Sequence, residues 1–313
     1  MPVPSTLAEI VLSLLPAFTG PSAMIFRDLL VAWIVCPGQR TITGMLPFAD
    51  PEGRRHFSVY HRFIRVGAWL LGELFRLWAN VLVHALTPEG VLWLQADDTV
   101  HKKSGRKVEG ASTWRDAVRS TKNTVVYAWG LQFVPLCLRI HPPWGGEPLA
   151  LPIHIRLHRK GGVSCSALVE EMIRDVEAWF PDREFHLVAD GAYACLCGVA
   201  FERTHVTSRL RRDATLHGRP PKRKKGQRGR PRKKGARLPK PEAMAKRARR
   251  WDRVTTLERG RERDRLVYGR IVLWYGVAKD RPLLLVISRD PAGKEKDDFF
   301  VTTDVALAPA RVV

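Results

Sequence analysis

Hydrophobic and polar positions follow two different periods along the chain. Up to about residue 88 the apolar residues recur at helical spacing: Phe57, Tyr60, Phe63, Ile64, Val66, Leu70, Leu71, Leu74, Phe75, Trp78 and Leu82 trace one stripe. Gly38, Gly44 and Pro47 break the earlier part into short elements. From about residue 90 the period shortens. Residues 91–97, 123–130, 133–140 and 148–157 read as strands rich in Val, Leu, Ile, Tyr and Trp, with Gly130-Leu131 near the turn of a hairpin. Gly161-Gly162 then opens a helix whose apolar face carries Leu168, Val169, Met172, Ile173, Val176 and Trp179, and Pro181 stops it. A strand ending at Asp190 follows, and further strands are expected over 265–279, 282–288 and 298–303. Strand, hairpin, strand, helix, strand is the order of an α/β sheet of mixed direction with helices packed against it.

One stretch fits neither period. Residues 203–250 hold 20 Lys or Arg against only Asp213 and Glu242, with few large apolar residues after Leu210. That composition predicts a loop or disordered arm rather than part of a core. The whole chain of 313 residues is 45% hydrophobic, carries a formal net charge of +21 and has a pI near 10.4. Such an excess points to a polyanion: DNA, RNA or an anionic membrane surface. No apolar run reaches the ~18 residues of a spanning helix, and the apolar N-terminus lacks a leading basic residue, so nucleic acid is favoured over membrane. Five scattered cysteines, Cys36, Cys137, Cys165, Cys195 and Cys197, suggest reduced thiols in a cytoplasmic protein.

Candidate chemistry sits where two of the strands end. Val91-Leu92-Trp93-Leu94-Gln95-Ala96 runs into Asp97-Asp98-Thr99, and Phe185-His186-Leu187-Val188-Ala189 runs into Asp190-Gly191-Ala192-Tyr193. A lone aspartate at a strand end is usually a turn or cap residue. Two that each close a continuous apolar run would make a rigid, all-oxygen site for Mg²⁺ or Mn²⁺ able to serve phosphoryl transfer. Alternation along a strand puts Asp97 and Asp98 on opposite faces and leaves open which of them joins Asp190.

Two segments are candidates for holding nucleic acid. Arg40 to Gly44 followed by His56 to Arg65 reads as a helix–turn–helix with Arg54, Arg55, Arg62 and Arg65 near DNA, or equally as a helical bundle with a solvated basic face. In the arm, Gln227-Arg228-Gly229-Arg230-Pro231-Arg232-Lys233-Lys234 resembles an AT-hook, whose arginines enter a narrow minor groove. A generic phosphate-binding tail explains Arg228, Arg230, Arg232, Lys233, Lys234 and Arg237 as well.

Taken in order, these motifs resemble the DDE transposases of bacterial insertion sequences. Leu94 to Thr99 with Lys103-Ser104-Gly105 resembles the first-aspartate strand and turn, and Val188 to Tyr193 the second. Gly229 to Pro239 resembles the basic insertion that follows, and Val301-Thr302-Thr303-Asp304 the strand before the final helix. The resemblance implies a ribonuclease-H-like catalytic core: a mixed sheet with flanking helices, preceded by a helical N-terminal domain and interrupted by the basic insertion. It implies Asp97 and Asp190 as catalytic metal ligands with Asp98 as a substitute, and Mg²⁺ or Mn²⁺ as cofactor. It further implies DNA at element ends and target as partner, a DNA-dependent homodimer, and a cytoplasmic, nucleoid-associated location.

The expected division is a helical DNA-binding domain over 1–88, the first part of the core over 89–202, the basic insertion over 203–250 and the remaining core strands over 251–313. In the family the third ligand is a glutamate on a helix soon after the Thr-Thr-Asp strand, near a Tyr and an Arg-Trp pair. The sequence to Val313 does not include that helix, and Glu258, Glu262 and Glu295, in charged and loop-like sequence, read as surface charges. The expectation is a chain truncated before its third acidic residue, with a DNA-binding protein that has lost catalysis as the alternative to an active transposase.

Overall fold

A computed structural model describes residues 6–67, 69–105, 107–222, 229–258 and 261–312. The chain divides into two compact units, Met1–Glu89 and Gly90–Val313. The first is all helical: α1 (Leu7–Leu14), α2 (Gly20–Val35), α3 (Ile42–Ala49), α4 (Phe57–Val66) and α5 (Leu71–Leu86). Thr6 and Glu9 close a reciprocal capping box on α1, and Thr41 caps α3 through the Gly44 amide. Of the apolar stripe, Tyr60, Phe63 and Leu82 are buried while Phe57, Ile64, Val66, Leu70 and Leu71 are exposed. Leu29, Ala32, Met45, Tyr60 and Phe63 form one cluster and Leu14, Ala17 and Leu77 another, with Phe18 packed against both.

The segment read as a helix–turn–helix is a looser structure. Residues 50–56 separate α3 from α4, more than the ~3–4-residue turn of that motif. Asp50 organises the connection by accepting the amides of Arg54 and Arg55 at 3.0 and 2.8 Å. Arg55 pairs with Asp28 at 2.9 Å and Arg54 with Glu52 at 2.7 Å, so both serve the unit's own structure. Arg62 and Arg65 stand on an exposed face of α4. Among the described residues no single helix is long and apolar enough to cross a membrane.

The second unit is built on one eleven-stranded mixed sheet. Its elements are β1 (Leu92–Ala96), β2 (Thr99–Lys102), β3 (Ser112–Arg115), β4 (Tyr127–Ile140), β5 (Leu149–His158), α6 (Cys165–Trp179), β6 (Phe185–Ala189), β7 (Thr204–Arg209), α7 (Pro241–Arg247), β8 (Asp252–Glu258), β9 (Arg261–Val272), α8 (Tyr275–Ala278), β10 (Leu283–Arg289) and β11 (Asp298–Thr302). At its centre β5, β4, β1, β6 and β7 lie side by side. β4 runs against β1 and β5, while β1, β6 and β7 are parallel. This is a ribonuclease-H-like sheet. β11, β10, β9 and β8 extend it antiparallel beyond β7. The predicted face of α6 is buried through Leu168, Val169, Met172, Ile173 and Val176.

Three local expectations differ from what is observed. The hairpin expected at Gly130-Leu131 is a single strand, β4, with Gly130 in its interior. A Cβ on Gly130 would lie 2.2 Å from the His101 carbonyl oxygen, so glycine here admits the close approach of β2 rather than a reversal. The basic stretch 203–250 contributes β7 to the middle of the sheet, with Val206, Thr207 and Ser208 almost fully buried. Its polar residues are buried because they are bonded: Thr207 to His186 at 2.7 Å, and Thr204 to Glu177 at 2.7 Å. Leu216, Met244 and Ala245 are buried as well, so the stretch does join a core. Finally, Glu258 and Glu262 lie on strands rather than loops.

Candidate active site

The register of β1 on β6 decides what the two aspartates share. Leu92, Leu94 and Ala96 of β1 stand opposite Phe185, Leu187 and Ala189 of β6, all buried. Two such strands lie about 4.8 Å apart, and each continues directly into an aspartate. Asp97 and Asp190 therefore leave the sheet side by side. Both line one cleft of about 510 Å³, with Cys137, Ser208, Arg209 and Phe300 among the other residues around it.

Each turn is pinned locally. Asp190 caps the 3₁₀ segment Gly191–Gly198, its Oδ1 accepting the Ala192 amide at 2.7 Å, while the Ser208 hydroxyl donates to the Asp190 carbonyl at 2.7 Å. Asp97 Oδ1 accepts the amide of Asp98 at 2.8 Å. Burial pushes the Asp97 carboxyl above the ordinary aspartate range. The Asp98 amide opposes that shift, and the negative charges of Asp98 and Asp190 reinforce it. Negative charge crowded around the Asp97 carboxyl favours a cation beside it. Behind Asp97, burial and the Asp97 charge push the Cys137 thiol up to about 11, which makes it inert at neutral pH. Arg209 also lines the cleft, and its guanidinium is ion-paired to Asp298 at 2.6 Å.

Asp97 and Asp190 fit a hard divalent cation. Mg²⁺ typically takes one or two carboxylates and completes its octahedron with waters and substrate phosphate oxygens. Among the described residues no group of three or more His, Cys, Asp and Glu side chains is arranged as a metal site, and no further carboxylate lines the cleft. Glu258 and Glu295 are engaged elsewhere. Both bond to Arg265, at 2.6 and 2.7 Å, and Arg265 is buried. They are the counter-charges of a buried guanidinium rather than free surface charges.

Asp98 points away from that cleft. Its Oδ2 accepts from Gln132 Nε2 at 2.6 Å and its Oδ1 from the Tyr193 hydroxyl at 3.2 Å. It lines a separate cleft with Thr99, Lys102, Arg115 and Asp116. Alternation along the strand thus resolves in favour of Asp97 as the neighbour of Asp190. Gln132 and Tyr193 were not foreseeable as partners of Asp98, because their contacts depend on sheet register and on the 3₁₀ turn.

The basic arm has a built root. His217 bridges both Arg237 and Leu273, and Gly218 and Gly235 exchange backbone bonds with the opposite limb. Lys234 sits 4.7 Å above the Tyr275 ring, Lys233 lies 4.0 Å from Asp280, and the Arg237 guanidinium reaches Thr215 at 3.4 Å. Arg230, Arg232, Lys233, Lys234 and Arg237 are all exposed, and Arg228 lies outside the described residues.

The sheet is ribonuclease-H-like, and it brings two aspartates to the ends of adjacent parallel strands. The chain belongs to the DDE superfamily endonucleases, whose family model matches residues 14–266. That family acts on DNA and generally uses divalent metals. No curated protein matches the chain.

Proposed function

We propose that this endonuclease is a transposase of the bacterial insertion-sequence type, which nicks DNA at the element's ends and joins the freed 3′-hydroxyl to target DNA. The observation that carries the reading is the meeting of Asp97 and Asp190 in one cleft. Asp97 and Asp190 would hold Mg²⁺ or Mn²⁺, with oxygen donors rigidly placed by the ends of β1 and β6. A divalent cation bound there supplies Lewis acidity, activating a water or hydroxyl and neutralising charge on the phosphate. Arg209, at the edge of the same cleft, orients the phosphodiester and offsets its charge. Arg228, Arg230, Arg232, Lys233, Lys234 and Arg237 neutralise backbone phosphates along the duplex. Arg62 and Arg65 of the helical unit extend the DNA contact. The reaction needs no covalent protein intermediate, and paired element ends would be held by two copies of the chain, working in the cytoplasm on the nucleoid.

The test is a nicking assay with end-bearing DNA and Mg²⁺ or Mn²⁺. Wild-type protein should nick, and Asp97→Ala and Asp190→Ala should not. Nicking that survives both substitutions removes the site. A second reading, a DNA-binding protein without catalysis, is favoured by the lack of a third carboxylate in the cleft among the described residues. Salt-sensitive DNA binding without nicking would establish it.

A further inference from the structure

We propose that Asp98 is a positioning residue rather than a metal ligand, and that Tyr193 and Gln132 clamp it to lock the spacing of Asp97 and Asp190. The inference rests on the nuclease reading above and adds a device to it. Both carboxylate oxygens of Asp98 are taken by donors, Tyr193 at 3.2 Å and Gln132 at 2.6 Å. These bonds aim Asp98 away from the cleft that Asp97 and Asp190 share.

The clamp reaches both turns. Asp98 is bonded through its own amide to Asp97 Oδ1 at 2.8 Å, so fixing Asp98 fixes the donor that orients the Asp97 carboxylate. Tyr193 belongs to the 3₁₀ segment that Asp190 caps, and its amide donates to the Asp190 carbonyl at 3.2 Å. Its ring is 1% exposed, so the hydroxyl has no freedom to swing away. Gln132 enters from β4, where it pairs with Val100 of β2 and His158 of β5. One side chain from β4 and one from the second aspartate's turn therefore converge on the residue beside the first aspartate. The result is a cross-brace between two turns that the backbone joins only through adjacent strands. Phosphoryl transfer is sensitive to such placement, since displacement of a reacting group by about 1 Å can cost ~100-fold in rate.

A hydrogen-bond swap separates positioning from ligation. In Asp98→Asn the amide oxygen still accepts from Tyr193, and the amide nitrogen donates to Gln132 once that amide turns over. A positioning residue therefore tolerates the change, whereas a metal ligand does not. Nicking by Asp98→Asn should stay within about fivefold of wild type, while Tyr193→Phe and Gln132→Glu, which break or repel a bond, should lose roughly 10- to 100-fold. The Asp98→Asn/Gln132→Glu double variant restores a donor–acceptor pair and should recover most of the Gln132→Glu loss, with DNA affinity unchanged throughout. Asp98→Asn as inactive as Asp97→Asn, or a double variant no better than Gln132→Glu alone, would overturn the proposal. The same cycle is read in thermal unfolding, where Asp98→Asn should recover the stability lost in Gln132→Glu. If wild-type protein does not nick, the nuclease reading falls, and the clamp is judged on that thermal coupling, whose absence refutes it.

Discussion

Ala96 and Ala189 face each other across parallel strands β1 and β6, and the next residue on each strand is an aspartate. This pairing concentrates negative charge at one end of the sheet, and its cost falls on Asp97. Burial, reinforced by Asp98 and Asp190, raises that carboxyl's pKa in the folded protein. An acid whose pKa is raised on folding favours the native state below its unfolded pKa of ~3.9, and that contribution is lost as pH rises through the folded value. Asp97→Asn should therefore raise the unfolding temperature of the metal-free protein at neutral pH, with the gain fading near pH ~3. Scanning calorimetry across that range checks it; a gain independent of pH would point to packing instead.

His186 gives the opposite sign. Burial, with help from the neighbouring His205, lowers its pKa to about 4 from 6.5, and its ring stacks 4.5 Å from Trp93 while bonding to Thr207. A histidine depressed on folding stays neutral in the native state while the unfolded chain takes up a proton. Stability should fall as pH drops from about 6.5 towards 4. In His186→Gln that part of the slope should be shallower, as measured by denaturant titration at stepped pH.

The exposed cations of the arm predict a salt response. Each phosphate contact contributes about −0.9 to the slope of log K against log salt. Replacing Arg230, Arg232, Lys233 and Lys234 by alanine should reduce the magnitude of that slope by several such increments. Binding titrations at graded salt concentrations test this, and an unchanged slope would move the DNA contact elsewhere.

Gly130 predicts a stability effect of steric origin. A methyl group there meets the His101 carbonyl at 2.2 Å and cannot be relieved by a side-chain rotation, because the obstacle is backbone. Gly130→Ala should destabilise the protein by about 1–3 kcal/mol, the usual range for overpacking. It should also lower nicking, because β2 directly follows the Asp97-Asp98 turn. Thermal unfolding and nicking rates of the variant read both effects.

Much of this architecture was visible in the chain. Apolar runs closed by aspartates marked β1 and β6, and helical spacing marked α6, because buried elements carry their period openly. β7 was hidden for a physical reason. Thr204, Thr207 and Ser208 are buried through hydrogen bonds to Glu177, His186 and the Asp190 carbonyl, and such burial leaves no apolar signature. Gly130 misled because a glycine needed for close approach reads like a glycine needed for a turn. The candidate site was legible as residues but not as a geometry. Asp97 and Asp98 are neighbours in sequence, yet they line different clefts, and Asp98 is held in its own by Gln132 and Tyr193.

The adjacency of β1 and β6 also sets a timetable. Between them the chain must lay down β4, turn back through β5 and cross over in α6 before the second strand can dock beside the first. Contacts of such long sequence separation form late and slowly. During synthesis Asp97 emerges well ahead of its counterpart and has nothing to act with. On the proposed reading, a DNA-cutting site assembled this way would be withheld from the nascent chain until the sheet has closed around it.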